Sequence, residues 1–261
     1  PTHNWDTGVF EPHEAISGQT MSDTILTERD TCYACIVRCK RVVEIKEGPY
    51  QVDPVYGGPE YETIASVGSM CDVGSLAAIA KSNEYCNMYG IDTISTGVMM
   101  AWAMDCYDHG IITKEDTGGL DLTWGNAEAM VELTKQIGQR EGFGATLADG
   151  MTAAAKRLGP EAEALAVAIK GNPLPAHMPE GKRVLALYYA TNPYGADHMS
   201  VEHDPSYNDF PHRMAQLGLL DPQPIDVLNT EKMRFAAYTQ QMYSALNTIG
   251  VCMFVYGTAY Q

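Results

Sequence analysis

Three cysteines crowd into one short stretch, TCYACIVRCK, and they constrain the fold of this chain more than any other feature. Cys32, Cys35 and Cys39 follow a C-x-x-C-x-x-x-C spacing, whose short spacers let one turn of chain present three soft thiolate donors to a compact inorganic core. The fourth donor must then come from a distant segment. Cys252, in NTIGVC, is the natural candidate because Gly250 permits a turn that aims the next side chains inward.

The spacing alone leaves the nature of this core open. An iron–sulfur cluster and a tetrahedral zinc site both take such donors, and three ordinary thiols are the third interpretation. The spacers are in the opposite order from those of radical enzymes that cleave S-adenosylmethionine. The odd total of seven cysteines, without a secretory signal, disfavours a disulfide scaffold. Cys71, Cys86 and Cys106 lie in apolar helical stretches and are predicted to be small buried hydrophobes.

The charge of the chain excludes several partners. Thirty-three acidic residues against seventeen basic ones give a formal charge of −16, which would repel nucleic acids and anionic membrane surfaces. The longest apolar runs are too short to cross a bilayer, and no signal segment opens the chain. We therefore expect a cytoplasmic protein without a nucleic acid partner or a membrane span.

Helical periodicity dominates the rest of the sequence and predicts a mainly α, multihelical fold. One hairpin is expected, from RVVEIKEG and YQVDPVY. The proline-rich stretch GNPLPAHMPEG predicts a boundary between two helical domains, 1–170 and 171–261. The predicted helices are DVGSLAAIAKSNEYCNMYG, STGVMMAWAMDCYDHG, AEAMVELTKQIGQREG, TLADGMTAAAKRLG, EAEALAVAIKG and TEKMRFAAYTQQMYSALNTIG.

Two helices are predicted to end in the same pattern, N-x-x-G followed by an aliphatic residue. The first copy runs from Asn87 through Gly90 and Ile91 to Asp92, and the second contains Asn247, Gly250, Val251 and Cys252. Asn and Gly commonly end helices, so each copy alone is weak evidence. Two copies in different halves could also grip one ligand from opposite sides.

Two further segments carry groups suited to proton chemistry. The loop GGPEYET delivers Glu60, Tyr61 and Glu62 at the start of a helix, where a glutamate is more often a solvated or capping residue. His198 and His203 lie five residues apart in GADHMSVEHDP, a spacing unlike that of zinc hydrolases. Taken alone, each is better interpreted as a histidine hydrogen-bonded in a loop.

Taken together, the motifs resemble the aldehyde:ferredoxin oxidoreductase family of tungsten or molybdenum bis-pterin enzymes. Six of them occur in the family's order: CYACIVRC, GGPEYET, YGIDTISTG, REGFGATLADG, YATNPYGADH and NTIGVC. The resemblance covers nearly the whole chain and implies two all-α domains of that family's C-terminal type. Family members are about twice as long, so we expect a fragment that is inactive alone and lacks an N-terminal β-rich domain.

The resemblance also implies roles for individual residues. Cys32, Cys35, Cys39 and Cys252 would hold a 4Fe–4S cluster. Glu62 matches the carboxylate beside the metal, with Tyr61 nearby, and His198 matches the histidine facing the substrate carbonyl. The turns Asn87 to Ile91 and Asn247 to Val251 match the two pterin motifs, and Asp92 is expected to bind the cofactor beside the first. Both copies depart from the family's pattern, because asparagine replaces an aspartate that would accept two hydrogen bonds from the pterin edge.

The function implied is oxidation of an aldehyde to a carboxylic acid, with electrons leaving through the cluster to ferredoxin or an iron–sulfur partner subunit. A Mg²⁺ ion bridging the pterin phosphates and a homo-oligomeric assembly are further expectations. The nearer alternative is a related tungsten enzyme such as the catalytic subunit of an aryl-CoA reductase. The farther one is an iron–sulfur or zinc-bearing electron-transfer or structural module without pterin.

Overall fold

The computed structural model describes residues 1–255 and divides the chain into two compact units, Pro1–Ala176 and His177–Gln261. Both units are built mainly from helices, which confirms the predicted fold class. Short strands occur in the first unit, where they form two separate two-stranded antiparallel sheets.

The first unit contains eight α-helices and four strands. In chain order these are α1 (Gly18–Thr24), β1 (Leu26–Asp30), β2 (Lys40–Val43), α2 (Tyr61–Thr63), α3 (Leu76–Tyr89), α4 (Thr93–Asp108), α5 (Ala127–Gln139), α6 (Gly144–Leu147), α7 (Met151–Leu158), α8 (Pro160–Ala164), β3 (Ala168–Ile169) and β4 (Asn172–Pro173). Short 3₁₀ turns cover His13–Ile16, Pro54–Tyr56 and Ser69–Cys71, and a π-helix covers Ile64–Gly68.

Helix α4 is the centre of the first unit. Every residue from 96 to 104 is buried, as expected for a helix that is apolar on all sides and therefore packed against neighbours all round. The indole Nε1 of Trp102 donates a hydrogen bond to the carbonyl of Ala162 at 2.9 Å, which satisfies a polar group that would otherwise be costly to bury. Asp92 caps the helix by accepting a hydrogen bond from the Ser95 amide.

Gly97 lets α4 approach the π-helix backbone to backbone. A Cβ at this position would lie 2.4 Å from the carbonyl carbon of Ser66, so no larger residue fits without moving one of the two elements. The π-helix starts two residues after Glu62, and α4 thereby fixes the segment that carries this carboxylate. π-Helical turns are rare and frequently occur at functional sites.

Between residues 177 and 252, the second unit contains three helices, α9 (Arg183–Thr191), α10 (Asp204–Asp209) and α11 (Thr230–Thr248), with a 3₁₀ stretch over Pro211–Leu217. α9 packs against α11. Tyr207 on α10 stacks on Phe235 of α11, with ring centroids 4.8 Å apart. The ammonium group of Lys232 on α11 forms a buried ion pair with Asp204 at the start of α10, and this pair ties the two helices together.

Two predicted helices are wrong in extent. The fourth is interrupted, because the chain turns at Gly150, where φ is 87°, and leaves the separate helices α6 and α7. The fifth ends at Ala164, after which β3 and β4 form a small hairpin. Lys170 and Gly171 both have positive φ, at 55° and 84°, which suits a two-residue hairpin turn.

The predicted hairpin is also wrong in its main pairing. Strand β2 pairs with β1, a segment not expected to be a strand, through the register Asp30↔Lys40 to Leu26↔Val43. Only the isolated bridge Ile45↔Val52 joins the two segments expected to pair. The 3₁₀ turn at Pro54 ends extended structure there, since proline lacks the amide that a strand would use.

No single helix within residues 1–255 is both long and apolar enough to cross a membrane; one bent pair, Tyr61–Cys71 with Leu76–Tyr89, passes on length and composition together.

Candidate functional site

The three clustered cysteines occupy the loop that joins β1 to β2. Cys32 is exposed, whereas Cys35 and Cys39 are half-buried. The backbone bends sharply on both sides of Cys35, because Ala34 and Arg38 adopt left-handed conformations with φ of 56° and 51°, which non-glycine residues rarely do. This unusual path is a feature typical of ligand-holding loops.

Hydrogen bonds from side chains, rather than the backbone hydrogen bonds of a β-sheet, stabilise this loop. The hydroxyl of Thr31 donates to the carbonyls of Cys32 and Cys35, and the guanidinium of Arg38 donates to the carbonyl of Arg29 on β1. All seven cysteines of the chain lie within the described residues, and none forms a disulfide. The loop therefore presents three unpaired thiols from one short segment.

The remaining cysteines fall into two groups. Cys71, Cys86 and Cys106 are fully buried, which confirms their prediction as small hydrophobes. Burial raises the pKa of all three thiols, to about 12 for Cys86 and Cys106, so none is poised to be a thiolate ligand. Cys252 is exposed and follows α11 in the second unit, so the predicted four-cysteine set draws on both units and stays a prediction.

The first N-x-x-G turn ends α3. Gly90 adopts the left-handed conformation, with φ 68° and ψ 35°, and the Ile91 amide donates back to the Cys86 carbonyl at 3.0 Å, a bond typical of helix C-termini. The side-chain amide of Asn87 donates to the carbonyl of Tyr56 at 2.8 Å. An aspartate could not make this bond, because a carboxylate has no donor.

The second turn repeats this geometry at the end of α11. Gly250 has φ 73°, and the Val251 amide donates to the Leu246 carbonyl at 3.0 Å. The hydrogen bond spans five residues, as it does from Ile91 to Cys86. Asn247 is exposed, and within residues 1–255 its side chain makes no hydrogen bond comparable to that of Asn87.

Two clefts of the first unit border the first turn. One, of about 510 Å³, is lined by Asn87 together with β2 and the GGPE loop. The other, of about 390 Å³, is lined by Ile91 and Asp92 together with Arg140 and Gly150. The second cleft therefore brings the YGID and REGFGATLADG motifs together, although they lie about fifty residues apart in sequence.

The two glutamates of the PEYE loop have different partners. Glu60 forms an ion pair with Arg41 of β2. Glu62, in the single turn of α2, accepts a hydrogen bond at Oε2 from the backbone amide of Ala176 at 2.8 Å. Tyr61 is exposed as a whole, but burial of its hydroxyl and the neighbouring Glu62 charge raise its pKa. These contacts separate Glu62 from Glu60, which has a conventional surface role.

In the second unit, three histidines and a lysine form a cluster. The ring centroid of His177 lies 4.9 Å from those of both His198 and His203, and the latter two are 6.1 Å apart. The Nζ of Lys182 lies 3.1 Å from His177 Nδ1 and 3.5 Å from His203 Nδ1. The Nε2 of His203 lies 2.8 Å from the His198 carbonyl oxygen. His198 and His203 lie in irregular chain between α9 and α10, as their sequence context indicates.

Sequence reasoning missed His177 and Lys182, because HMPEGK was interpreted only as part of a proline-rich break. The carboxylates near the histidines have local structural contacts. Asp197 accepts from the Met199 amide and the Ser200 hydroxyl, and Asp204 belongs to the buried pair described above. The signal available in the sequence was the concentration of three of the seven histidines between 177 and 203.

Comparison with known proteins gives related sequences over the whole chain. A family model described as aldehyde ferredoxin oxidoreductase, domains 2 and 3, matches residues 1–261. Tungsten-containing aldehyde ferredoxin oxidoreductases of Thermococcus kodakarensis and Pyrococcus furiosus are each 33% identical over 97% of this chain. An aliphatic sulfonate oxidoreductase, WOR-like subunit, of Pyrococcus furiosus is 29% identical over 77% of this chain and 33% of the relative.

This chain spans 40% of the length of the two tungsten-containing relatives. Among solved structures, the active-site complex BamBC of benzoyl coenzyme A reductase with 1,5-dienoyl-CoA superposes with a TM-score of 0.68. That match covers 90% of this chain and 38% of the other, at 18% sequence identity. It shows a shared fold.

Proposed function

The chain belongs to the aldehyde ferredoxin oxidoreductase family, in the part described as domains 2 and 3, and from that premise we propose that the whole protein is a tungsten-dependent oxidoreductase. The reaction is the oxidation of an aldehyde with water to a carboxylic acid, which releases two electrons and two protons. Molybdenum is the alternative metal, because pterin sulfurs rather than protein side chains would hold it.

One observation carries this proposal most directly: the two N-x-x-G turns adopt the same backbone geometry, one in each unit. Each leaves a helix end that is closed by a left-handed glycine, followed by an aliphatic residue. Residues Asn87 to Asp92 and Asn247 to Val251 would bind the pterins. The side-chain amide of Asn87, which stands where the family's pattern has an aspartate, donates to the Tyr56 carbonyl and so holds the first turn by a contact of its own.

The thiols also suit the second cofactor of the family. Cys32, Cys35 and Cys39 are unpaired and at least partly accessible, and Cys252 is exposed. Soft thiolates are the usual donors to an iron–sulfur cluster. In the proposal these four residues would hold a 4Fe–4S cluster, and ferredoxin or an iron–sulfur partner subunit would be the electron acceptor. A Mg²⁺ ion between the pterin phosphates belongs to the same proposal.

When bound, the tungsten–pterin centre supplies the two-electron chemistry that side chains lack. The protein's own residues supply proton transfer and orientation. Glu62 acts as the base for the attacking water, or accepts a released proton. His198 donates a hydrogen bond to the carbonyl oxygen and stabilises the negative charge that develops there. Tyr61 lies beside Glu62 in sequence and shapes the same region.

A second candidate is reduction of an aromatic CoA thioester, as in an aryl-CoA reductase catalytic subunit. The structural likeness to the benzoyl coenzyme A reductase complex favours it, but that likeness is one of fold. Aldehyde oxidation has the stronger support, because the more similar sequences are named for it. An iron–sulfur or zinc-bearing module without pterin is the third candidate and predicts a different metal content.

The experiment that tests the proposal uses the full-length protein purified without oxygen. Iron, tungsten, molybdenum and zinc are measured, and dye or ferredoxin reduction is followed with a panel of aldehydes and with aromatic thioesters. We expect about four iron atoms and one tungsten or molybdenum per chain, together with aldehyde-dependent reduction. Zinc without tungsten or molybdenum would contradict the proposal, and turnover of thioesters alone would favour the second candidate.

A further inference from the structure

We propose that Lys182 is a positioning residue, which fixes the ring tautomers of His177 and His203 and, through His203, holds the backbone at His198. This role rests on the proposed function, in which His198 meets the substrate. Lys182 belongs to none of the motifs considered in the sequence. It immediately precedes α9, and the amides of Gly181 and Lys182 both donate to the Met178 carbonyl, at 3.1 Å and 3.2 Å.

The ring of His203 makes one contact at each of its two nitrogens. Its Nε2 lies 2.8 Å from the carbonyl oxygen of His198. A carbonyl only accepts hydrogen bonds, so the Nε2 of His203 must carry the proton and donate. In a neutral ring the other nitrogen, Nδ1, is then an acceptor, and this is the nitrogen that faces the Nζ of Lys182.

The ring of His177 contacts the same lysine. An ammonium group has three donors and no acceptor, and the Nζ of Lys182 lies 3.1 Å from His177 Nδ1. The Nδ1 of His177 must therefore accept, which assigns the proton of the neutral ring to Nε2. One lysine thus selects the same tautomer in two histidines, and both present an Nε2–H group away from the lysine.

Electrostatics agrees with a neutral His203 ring. Burial lowers the pKa of His203 to about 4; the hydrogen bond to the His198 carbonyl opposes this shift, and the charges of Lys182, His177 and His198 add to it. The acidic groups beside His203 in this unit have other partners: Glu202 accepts from the Tyr243 hydroxyl and Asp204 from Lys232. The backbone amide of His203 also donates to Glu202, at 3.2 Å.

Both the backbone and the ring of His198 are contacted by the other two histidines. The ring of His203 holds the carbonyl of His198, and the ring of His198 packs 4.9 Å from that of His177. With its proton on Nδ1, the ring of His203 would lose its bonds to both the lysine and this carbonyl, and the ring of His177 would lose its bond to the lysine. Small displacements of a group that orients a substrate cost large factors in rate.

The test compares Lys182→Met, Lys182→Arg and Lys182→Gln with the wild type in the full-length, metal-loaded protein. Lys156→Met is the matched control, because Lys156 is an exposed lysine of α7 in the first unit. Three quantities are measured: ring ¹⁵N shifts of labelled histidines, the pH dependence of carbethoxylation at each histidine peptide, and kcat at constant tungsten and iron content.

In Lys182→Met we expect His203 to titrate at a pH about one unit higher, because a nearby positive charge is removed. We also expect mixed tautomers at His177 and a roughly tenfold lower kcat. Lys182→Arg should restore the low titration and most of the rate. Wild-type tautomers and an unchanged His203 titration in Lys182→Met would overturn the proposal, as would Lys156→Met giving the same changes.

If Lys182→Met fails to fold, Lys182→Gln decides the question, because the amide keeps an N–H donor without the charge. It should retain the His177 tautomer while His203 titrates higher, and an unchanged titration would overturn the proposal. The ring ¹⁵N shifts and carbethoxylation do not depend on turnover. If the wild type oxidised no aldehyde, the proposed function would fail while these two measurements still tested the role of Lys182.

Discussion

Glu62 in the first unit and His198 in the second are held in place by different kinds of interaction. Glu62 accepts a hydrogen bond from a backbone amide and lies two residues before a π-helix that packs against α4. His198 is held through ionisable side chains, Lys182 and His203. The donor to Glu62 is a main-chain amide, which does not titrate, whereas histidine rings do. The two sites should therefore respond differently to substitution and to pH.

The largest effect is expected at Glu62. Glu62→Gln keeps a hydrogen-bond acceptor for the Ala176 amide but removes the proposed base, so kcat should fall about 10³-fold while tungsten and iron content stay near wild type. Activity per bound tungsten is the measurement. Glu60→Gln is the control, because it removes only the ion pair to Arg41. Equal loss of metal and activity in Glu62→Gln would instead indicate a structural role.

The next largest effect is expected from the buried ion pair between Lys232 and Asp204 in the second unit. Lys232 and Asp204 are 2% and 0% exposed, so Lys232→Met would leave a buried carboxylate without its counter-charge and destabilise the second unit by about 3 kcal/mol. Hydrogen exchange should rise in α9, α10 and α11 and stay unchanged in α3 and α4.

Arg234→Met on the same helix is the matched control for Lys232. Arg234 is exposed and pairs with Glu231 at 3.1 Å, an arrangement that contributes little to stability. Equal increases of hydrogen exchange in Lys232→Met and Arg234→Met would show that the buried ion pair does not stabilise the packing of α10 against α11.

The stability of the second unit should depend on pH through His203. His203 has a pKa of about 4 in the folded chain and about 6.5 when unfolded, so the unfolded state binds more protons between these values. The contribution of neutral His203 to the free energy of unfolding is therefore fully present above pH 6.5 and is lost as the pH falls toward 4. We expect this loss to be about 2 kcal/mol after allowance for partial exposure of the ring.

Hydrogen exchange corrected for its intrinsic pH dependence measures this loss in the segment between α9 and α10. His203→Gln should flatten the profile there, and His13→Gln, at an exposed histidine of the first unit, should leave it as in the wild type. A profile that stayed steep in His203→Gln would assign the pH dependence to another group.

The smallest effect distinguishes the two matching turns. Asn87→Asp removes the donor to the Tyr56 carbonyl and adds a negative charge at the C-terminus of α3, so the turn should open more easily by about 1 kcal/mol. Asn247→Asp, whose side chain makes no comparable bond within residues 1–255, should change exchange at its turn less. Equal changes at both turns would show that the Tyr56 contact contributes nothing to the first.

Local patterns predicted the parts of the fold that are decided locally. The helix ended by Gly90 and the cap at Asp92 follow from steric and hydrogen-bonding preferences of single residues, and both are present. The burial of Cys71, Cys86 and Cys106 follows from apolar helical surroundings. The hairpin after α8 was missed because helical composition continues through EALAVAI, while the turn at Lys170 and Gly171 decides the structure.

The parts that were missed depend on contacts between distant segments. Strand β1, with the sequence LTERD, has little strand character of its own and is a strand because β2 pairs with it. Lys182 and His177 carry no periodic signal, and their role becomes visible only when His203 is brought beside them. The bond from Asn87 to Tyr56 joins residues thirty-one apart, so the sequence alone indicated only a departure from the family's aspartate.

The proposed function assigns Glu62 of the first unit and His198 of the second to one reaction. A double-mutant cycle in the full-length enzyme, with Glu62→Gln, His198→Asn and both together, tests it through kcat per bound tungsten. We expect strong non-additivity, with the double variant only slightly slower than the slower single variant. Losses that simply multiply, at unchanged metal content, would contradict it and assign the two residues to independent tasks.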